Sequence, residues 1–143
     1  MLEETEDFAV AQTGDIMVSA YQEIVDAELS NKLRLCAYCL RIENNSAERI
    51  RLLKKDFCIT DSTGKNYFES GYGFHGELPD LEAGECYEFE DTIVISGAAA
   101  VLYGTCVAQT AMGDEFKIKL PLMQLASLTS DSGEAAAISE NLN

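Results

Sequence analysis

Short apolar runs, cut about every ten residues by turn signals, constrain the fold of this chain more than any other feature. Residues 16–21 form the first run. Residues 33–42 set Leu33, Leu35, Ala37 and Cys39 against Arg34, Cys36, Tyr38, Leu40 and Ile42, then close in the turn Glu43-Asn44-Asn45-Ser46. Residues 50–60 make a third run, ended by Asp61-Ser62-Thr63-Gly64, and 66–69 a short fourth. Further runs at 86–94, 101–109 and 115–122 follow, the last two joined through Ala111-Met112-Gly113-Asp114. A period of two places successive side chains on opposite faces, as a strand requires. About seven short strands between turns predict an all-β sandwich. No segment of this core carries a convincing helical period; residues 22–29 are expected to be a loop with at most one helical turn.

The length of 143 residues corresponds to one domain, and 47% hydrophobic residues suffice to build its core. The predicted domain spans 15–125. It is flanked by an acidic segment at 1–14 and by a tail at 126–143 rich in Ser, Ala, Gly and Asn, both expected to be flexible. No run approaches the length of a membrane span, and no basic-then-apolar leader opens the chain, so no membrane insertion and a cytoplasmic location are expected. Five cysteines, an odd number, fit a reducing compartment better than a disulfide framework.

The net charge of −15 argues against nucleic acid or an anionic membrane as partner. Its distribution says more. Residues 32–65 hold eight of the ten bases and only four acids, whereas 77–91 hold seven acids and no base. The middle of the chain is electrically bipolar.

Each motif with chemical potential has a plainer reading beside it. Cys36 and Cys39 form a C-x-x-C, but positions three apart on a strand point to opposite faces and cannot grip one zinc ion. All five cysteines, Cys36, Cys39, Cys58, Cys86 and Cys106, are therefore expected to pack. Gly71, Gly73 and Gly76 match G-x-G-x-x-G, yet no helix start follows at Glu77-Leu78-Pro79-Asp80, and no Lys or Arg lies between Lys65 and Lys117. A loop needing positive φ explains the glycines; a nest of N–H groups for a small anion is the functional alternative. His75 is the sole histidine, so paired-histidine metal or acid–base chemistry is absent, and a solvent-facing loop position is expected. The acid block Glu77, Asp80, Glu82, Glu85, Glu88, Glu90 and Asp91 offers weak ligands for Mg²⁺ or Co²⁺, with Glu85, Glu88, Glu90 and Asp91 the candidates. Alternation of Glu88 and Glu90 with Tyr87 and Phe89 is also what a solvated sheet face produces, and such an acidic edge discourages strand-to-strand aggregation.

Taken in order, these segments resemble the ApaG-domain family over about 110 residues, from Ile16 to Leu125. Ile42-Glu43-Asn44-Asn45 resembles its strand-end turn, and Leu52-Leu53 the strand after it. Phe57-Cys58-Ile59-Thr60-Asp61 with Gly64 is similar to its W-x-I-T-D-x-x-G segment. Gly71, Gly73, Gly76, Glu77 and Pro79 fall on its G-x-G-V-V-G-E-x-P loop; Leu81, Gly84, Glu85 and Phe89 follow in register. Gly104, Gly113, Phe116, Ile118 and Pro121 match its closing hairpin. The chain departs from the pattern at Phe57 for Trp, Phe74-His75 for Val-Val, Leu78 for Gln and Ala83 for Pro.

The resemblance implies an immunoglobulin/fibronectin-III-like β-sandwich, an association with cobalt and magnesium homeostasis in bacteria, and a protein-binding module in eukaryotic relatives. It also implies that the glycine loop binds pyrophosphate-like groups. The leading expectation is a non-enzymatic module that recognises a protein partner through residues 71–80: Gly71, Tyr72, Gly73, Phe74, His75, Gly76, Glu77 and Pro79, with Tyr72, Phe74 and His75 exposed. The rival is a small-ligand or ion-binding protein linked to efflux-associated Co²⁺/Mg²⁺ homeostasis, using the glycine loop for a pyrophosphate-like ligand or the acid block for weak Mg²⁺ or Co²⁺, with no other cofactor expected. Phosphohydrolase chemistry is least favoured, because no general base is paired with a nucleophile or metal set. An exposed edge strand leaves a homodimer open.

Overall fold

A computed structural model describes residues 8–23, 28–30 and 33–126. The described chain is all-β, in the order β1 (Phe8–Thr13), β2 (Ile16–Glu23), β3 (Glu28–Ser30), β4 (Leu33–Asn44), β5 (Ile50–Asp61), β6 (Asn66–Tyr72), β7 (Asp80–Leu81), β8 (Cys86–Ser96), β9 (Ala99–Thr110), β10 (Glu115–Lys119) and β11 (Met123–Ala126). Every expected run is a strand, most of them longer than expected.

Two antiparallel sheets form the sandwich, in the immunoglobulin/fibronectin-III-like manner. One runs β1-β2-β4-β3, with β8 on the free side of β4; the other runs β10-β9-β5-β6, with β11 beside β9 and β7 beside β5. Alternation fills the space between them. From the first sheet Val18, Tyr38, Leu40, Ile42, Phe89 and Ile95 face inward, and from the second Leu52, Phe57, Ile59, Leu102 and Ile118.

Three expectations change. Residues 8–13, read as part of an acidic flank, pair with β2 from Thr13↔Ile16 to Phe8↔Tyr21 across the turn at Gly14-Asp15. Within 22–29, Gln22 and Glu23 extend β2 and Glu28 opens β3 against Arg34, so strand replaces loop at those positions; 24–27 lie outside the described residues. Residues 115–119 end the strand expected to reach 122, and a separate strand follows at 123. Cross-strand partners supplied the order in each case, and partners are not visible in local composition. The flexibility expected for 1–7 and 127–143 falls outside the described residues.

One irregularity positions the loop that follows β6. The register of β5 on β9 slips between Leu52 and Lys54, leaving Leu53 as an extra residue. Such a bulge switches strand parity. Leu52 faces the core before it, and Phe57 and Ile59 face the core after it. A close approach supports the same sheet: a Cβ on Gly104 would collide with the Asp56 carbonyl oxygen, so β9 can lie against β5 only with glycine there.

Candidate functional site

The glycine loop is fastened at both ends to the β5 bulge. Gly73 donates its N–H to the Leu53 carbonyl at 2.8 Å, and Leu52 donates to the Pro79 carbonyl at 2.8 Å. Between these ties Phe74 and Glu77 exchange both backbone bonds, at 2.8 and 3.1 Å, closing a two-residue turn at His75-Gly76. Both turn residues have positive φ, 53° and 84°, the type I′ combination that suits a tight hairpin. The glycines thus serve turn geometry, as the plainer sequence reading held.

Phe74 corrects the expectation. It is fully buried, not exposed. Its ring meets Phe89 at 5.5 Å, Tyr87 at 6.0 Å and Phe57 at 6.5 Å, all edge-on. The hairpin points Phe74 inward and His75 outward, which a G-x-G-F-H-G spacing alone does not reveal. His75 is exposed but not free: its ring stacks on Phe89, and its Nε2 lies 2.7 Å from the Glu90 carbonyl. A carbonyl only accepts, so Nε2 carries the proton. Lys55 Nζ lies 5.0 Å from the centre of the Phe89 ring. The exposed residues of the loop include Tyr72, 72% exposed, with His75, Gly76, Glu77 and Leu78.

The loop is poorly built for a pyrophosphate-like group. The N–H groups of Gly73, Phe74 and Glu77 already bond within the protein, which leaves those of His75 and Gly76 at the turn, followed in sequence by the acidic Glu77 and with no Lys or Arg between Lys65 and Lys117.

The metal candidates do not converge as a set. Glu88 and Glu90 share the outer face of β8 with Cys39 across the strand pair, and one ligand atom from each lies within 4.8 Å of the others. Asp91 has the parity of buried Phe89 and Ile93, on the inner face, and accepts the Thr92 N–H at 2.8 Å. Glu85 accepts the Glu82 N–H at 2.8 Å in the preceding turn. Glu88 is held by Arg41 Nη1 at 3.0 Å, and a thiol is a poor partner for Mg²⁺, which takes oxygens in octahedral array. The donor set does not fit that ion.

The fold neutralises the bipolar charge pattern. Arg41 reaches Glu43 and Glu88 at 2.9 and 3.0 Å, Arg49 reaches Asp80 at 3.0 Å, and Arg51 reaches the same carboxylate at 3.0 Å. The bonds from Arg51 and Arg49 hold the Asp80 carboxyl below its ordinary range. These pairs are solvent-facing and worth little individually, ~0–1 kcal/mol. They explain why basic β4–β5 and the acidic stretch from β7 to β8 are partners.

The cysteines separate by face as expected for Cys36 and Cys39. Cys36 belongs to the core cluster, and Cys39 is buried on the other side of β4. Burial pushes the Cys106 thiol up to about 12. Cys86 differs from the expectation: it is exposed at the first position of β8, where no facing sheet covers it.

A profile described as the ApaG domain matches residues 27–110, well over half of the chain. The chain belongs to the ApaG domain family. It is similar to the protein named ApaG of Vibrio vulnificus, with 27% identity over 113 residues, covering 78% of this chain and 90% of that one. Against the protein of the same name from Parvibaculum lavamentivorans, identity is 33% over 91 residues, covering 64% of this chain and 70% of the relative. Among solved structures, a putative ApaA protein from Bordetella pertussis superposes with a TM-score of 0.75 at 23% identity, covering 80% of this chain and 94% of that one; this likeness bears on the fold.

Two polar positions of the ApaG pattern prove architectural. Asn44, buried at the end of β4, donates from Nδ2 to the Glu48 and Leu81 carbonyls at 2.7 and 3.0 Å, and its Oδ1 accepts the Ser46 N–H at 3.0 Å. Asp61, buried at the end of β5, accepts from Thr63 Oγ1 at 2.6 Å, Tyr67 OH at 2.7 Å, Lys65 N at 3.0 Å and Ser96 N at 3.2 Å. Sequence reasoning missed the exposed aromatics of the second sheet's outer face. Phe68 is 69% exposed, and Tyr103 is also exposed. Phe68 adjoins Tyr67, whose ring packs on the core, so alternation of polarity gave no signal there.

Proposed function

We propose that this ApaG domain is a non-catalytic recognition module that engages a protein partner through the surface of loop 71–80. The observation that carries the reading is the presentation of Tyr72 on a rigid mount. Its neighbour Gly73 is tied to the β5 bulge, Phe74 is anchored in the core, and His75 is stacked on Phe89. A large exposed aromatic on a scaffold already ordered loses little entropy on binding, which is the profile of an interface anchor. Leu78, exposed on the same loop, adds apolar area. The alternative, a pyrophosphate-like or ionic ligand in Co²⁺/Mg²⁺ homeostasis, has less support because the N–H groups of Gly73, Phe74 and Glu77 bond internally and no Lys or Arg lies between Lys65 and Lys117. The five free thiols suit a reducing cytoplasm.

The test is a comparison of wild type with Tyr72→Ala and Leu78→Ser. Proteins retained by immobilised wild type are identified, purified and titrated against each variant by calorimetry. A loss of affinity of at least ~10-fold for Tyr72→Ala, with an unchanged melting curve, is expected for an anchor residue. Equal affinity of wild type and both variants for every such partner would remove the loop from the function.

A further inference from the structure

The outer face of the β10-β9-β5-β6 sheet carries Tyr72 at its β6 edge, in register with Lys54, and a second surface at its opposite, β10 edge. Register places its side chains in rows. Lys54 of β5 aligns with Val107 of β9 and Lys117 of β10; Asp56 aligns with Thr105 and Lys119; and Phe68 of β6 aligns with Cys58 and Tyr103. Beside β10 a groove of about 480 Å³ is lined by Tyr103, Thr105, Lys117, Lys119 and Leu122, with two cations and no carboxylate. Asp56, in register with the groove residue Thr105 and bonded by Ser70 Oγ at 3.2 Å, and Glu115 are carboxylates of the same face outside the groove lining.

These lysines differ from the arginines. Arg41, Arg49 and Arg51 are each paired with a carboxylate. Lys54, Lys117 and Lys119 have no ion pair among the described residues. In a chain of net charge −15, unpaired cations gathered on one face are an asymmetry that the fold itself does not require. The apolar part of the groove is also preorganised. Tyr103 OH hydrogen-bonds with Cys58 Sγ at 3.3 Å and Thr60 Oγ1 at 3.2 Å, which holds the ring in place. Exposed Leu122 lines the same groove.

We propose that this groove docks an extended acidic peptide segment of a partner protein, with carboxylates at alternate positions and an apolar side chain against Tyr103 and Leu122. The spacing carries the choice of occupant. Lys117 and Lys119 are two residues apart on one strand, ~6.7 Å, the repeat of same-side residues in an extended peptide. A polyphosphate or nucleic acid would meet the surrounding negative field, whose range at physiological salt is ~8 Å. A short segment presents its carboxylates only at the lysines.

The probe is a fluorescein-labelled peptide of about ten residues in which Glu alternates with Leu and Phe, titrated by polarisation into the full chain at low salt. A peptide of the same composition with its Glu residues in one block serves as control. The alternating peptide should bind at least ~5-fold more tightly than the control, and binding should weaken as salt rises. Lys117→Glu with Lys119→Glu should weaken it at least ~10-fold, and the double Gln variant by an intermediate factor, both with unchanged melting curves. Leu78→Ser should leave it unaltered, which separates this groove from the loop surface. Equal binding of the two peptides, or retained binding by the charge-reversed protein, would overturn the proposal. So would tighter binding of inorganic polyphosphate than of the peptide. Self-association at low salt abolished by the lysine reversals would also overturn it, by making a second copy the occupant.

Discussion

His75 lies against Phe89 with ring centroids 4.5 Å apart and planes 24° from parallel, while its Nε2 donates to the Glu90 carbonyl at 2.7 Å. The tip of the glycine loop is thereby pinned to β8 of the opposite sheet. The position has φ of 53°, a left-handed conformation that costs a side-chain-bearing residue ~1–2 kcal/mol. Stack and hydrogen bond together offset that cost. His75→Ala keeps the strain and loses both contacts, so it should lower unfolding free energy by about 1–2 kcal/mol. His75→Gly loses the contacts but relieves the strain and should cost less. Urea denaturation of wild type and the two variants checks both points: alanine costing no more than glycine would mean that the left-handed backbone stores no strain, and alanine as stable as wild type would mean that the ring contacts contribute nothing.

Phe74 and Tyr72, two residues apart, should respond oppositely to truncation. Phe74 is enclosed by Phe57, Tyr87 and Phe89, so Phe74→Ala should destabilise the domain by about 3–5 kcal/mol. Tyr72 contributes mainly exposed surface, and Tyr72→Ala should change stability by less than ~0.5 kcal/mol. Thermal and chemical unfolding monitored by circular dichroism read both values.

The contrast between these two residues shows where sequence reading reached its limit. Strand alternation placed Cys36, Tyr38, Leu40 and Ile42 on one face and predicted the sandwich, because period two is a local property. Loop residues have no such period. Whether Phe74 or His75 points inward depends on a type I′ turn and on a bulge at Leu53, far earlier in the chain. β1 and β11 were invisible for a related reason: their identity as strands depends on partners β2 and β9. The opposite-face placement of Cys36 and Cys39 was legible, since it follows from spacing on a single strand.

The thiols offer a kinetic check on burial. Cys86 is exposed, Cys58 half-buried, and Cys36, Cys39 and Cys106 are buried. Reaction of the native protein with a thiol-specific disulfide reagent should be fastest at Cys86, slower at Cys58, and limited by opening of the sandwich at the other three. Cys86→Ser should delete the fast phase alone. A fast phase that survives this substitution would contradict the placement.

Tyr38 carries a buried hydroxyl with no hydrogen-bond partner among the described residues. Burial, together with the nearby Asp91 and Glu69 carboxylates, pushes its ionisation up, so it stays neutral. A buried polar group without a partner costs ~1–3 kcal/mol. Tyr38→Phe keeps the ring and removes that group, and should leave the domain as stable as wild type or raise its unfolding free energy by ~1 kcal/mol. A substantial loss in urea denaturation would mean that the hydroxyl makes a stabilising bond.

Asp61 determines a pH dependence whose sign can be worked out. Burial raises its carboxyl, but the bonds from Thr63, Tyr67 and the N–H groups of Lys65 and Ser96 together outweigh it, holding the group well below its ordinary value of 3.8. A carboxyl whose folded value is depressed stabilises the fold fully above the unfolded value. That contribution fades as pH falls below 3.8 toward the folded value. The carboxylate joins the β5–β6 turn to the end of β8, so its protonation weakens a tie between sheets. Asp61→Asn cannot reproduce all these acceptances and should cost about 2–4 kcal/mol at neutral pH. Its stability should then vary less with acid than that of wild type, and the gap between the two should narrow below about pH 4. Unfolding free energies of both proteins, measured from pH 7 to pH 2, check this; a gap that stays constant across the range would show that the Asp61 charge does not support the fold.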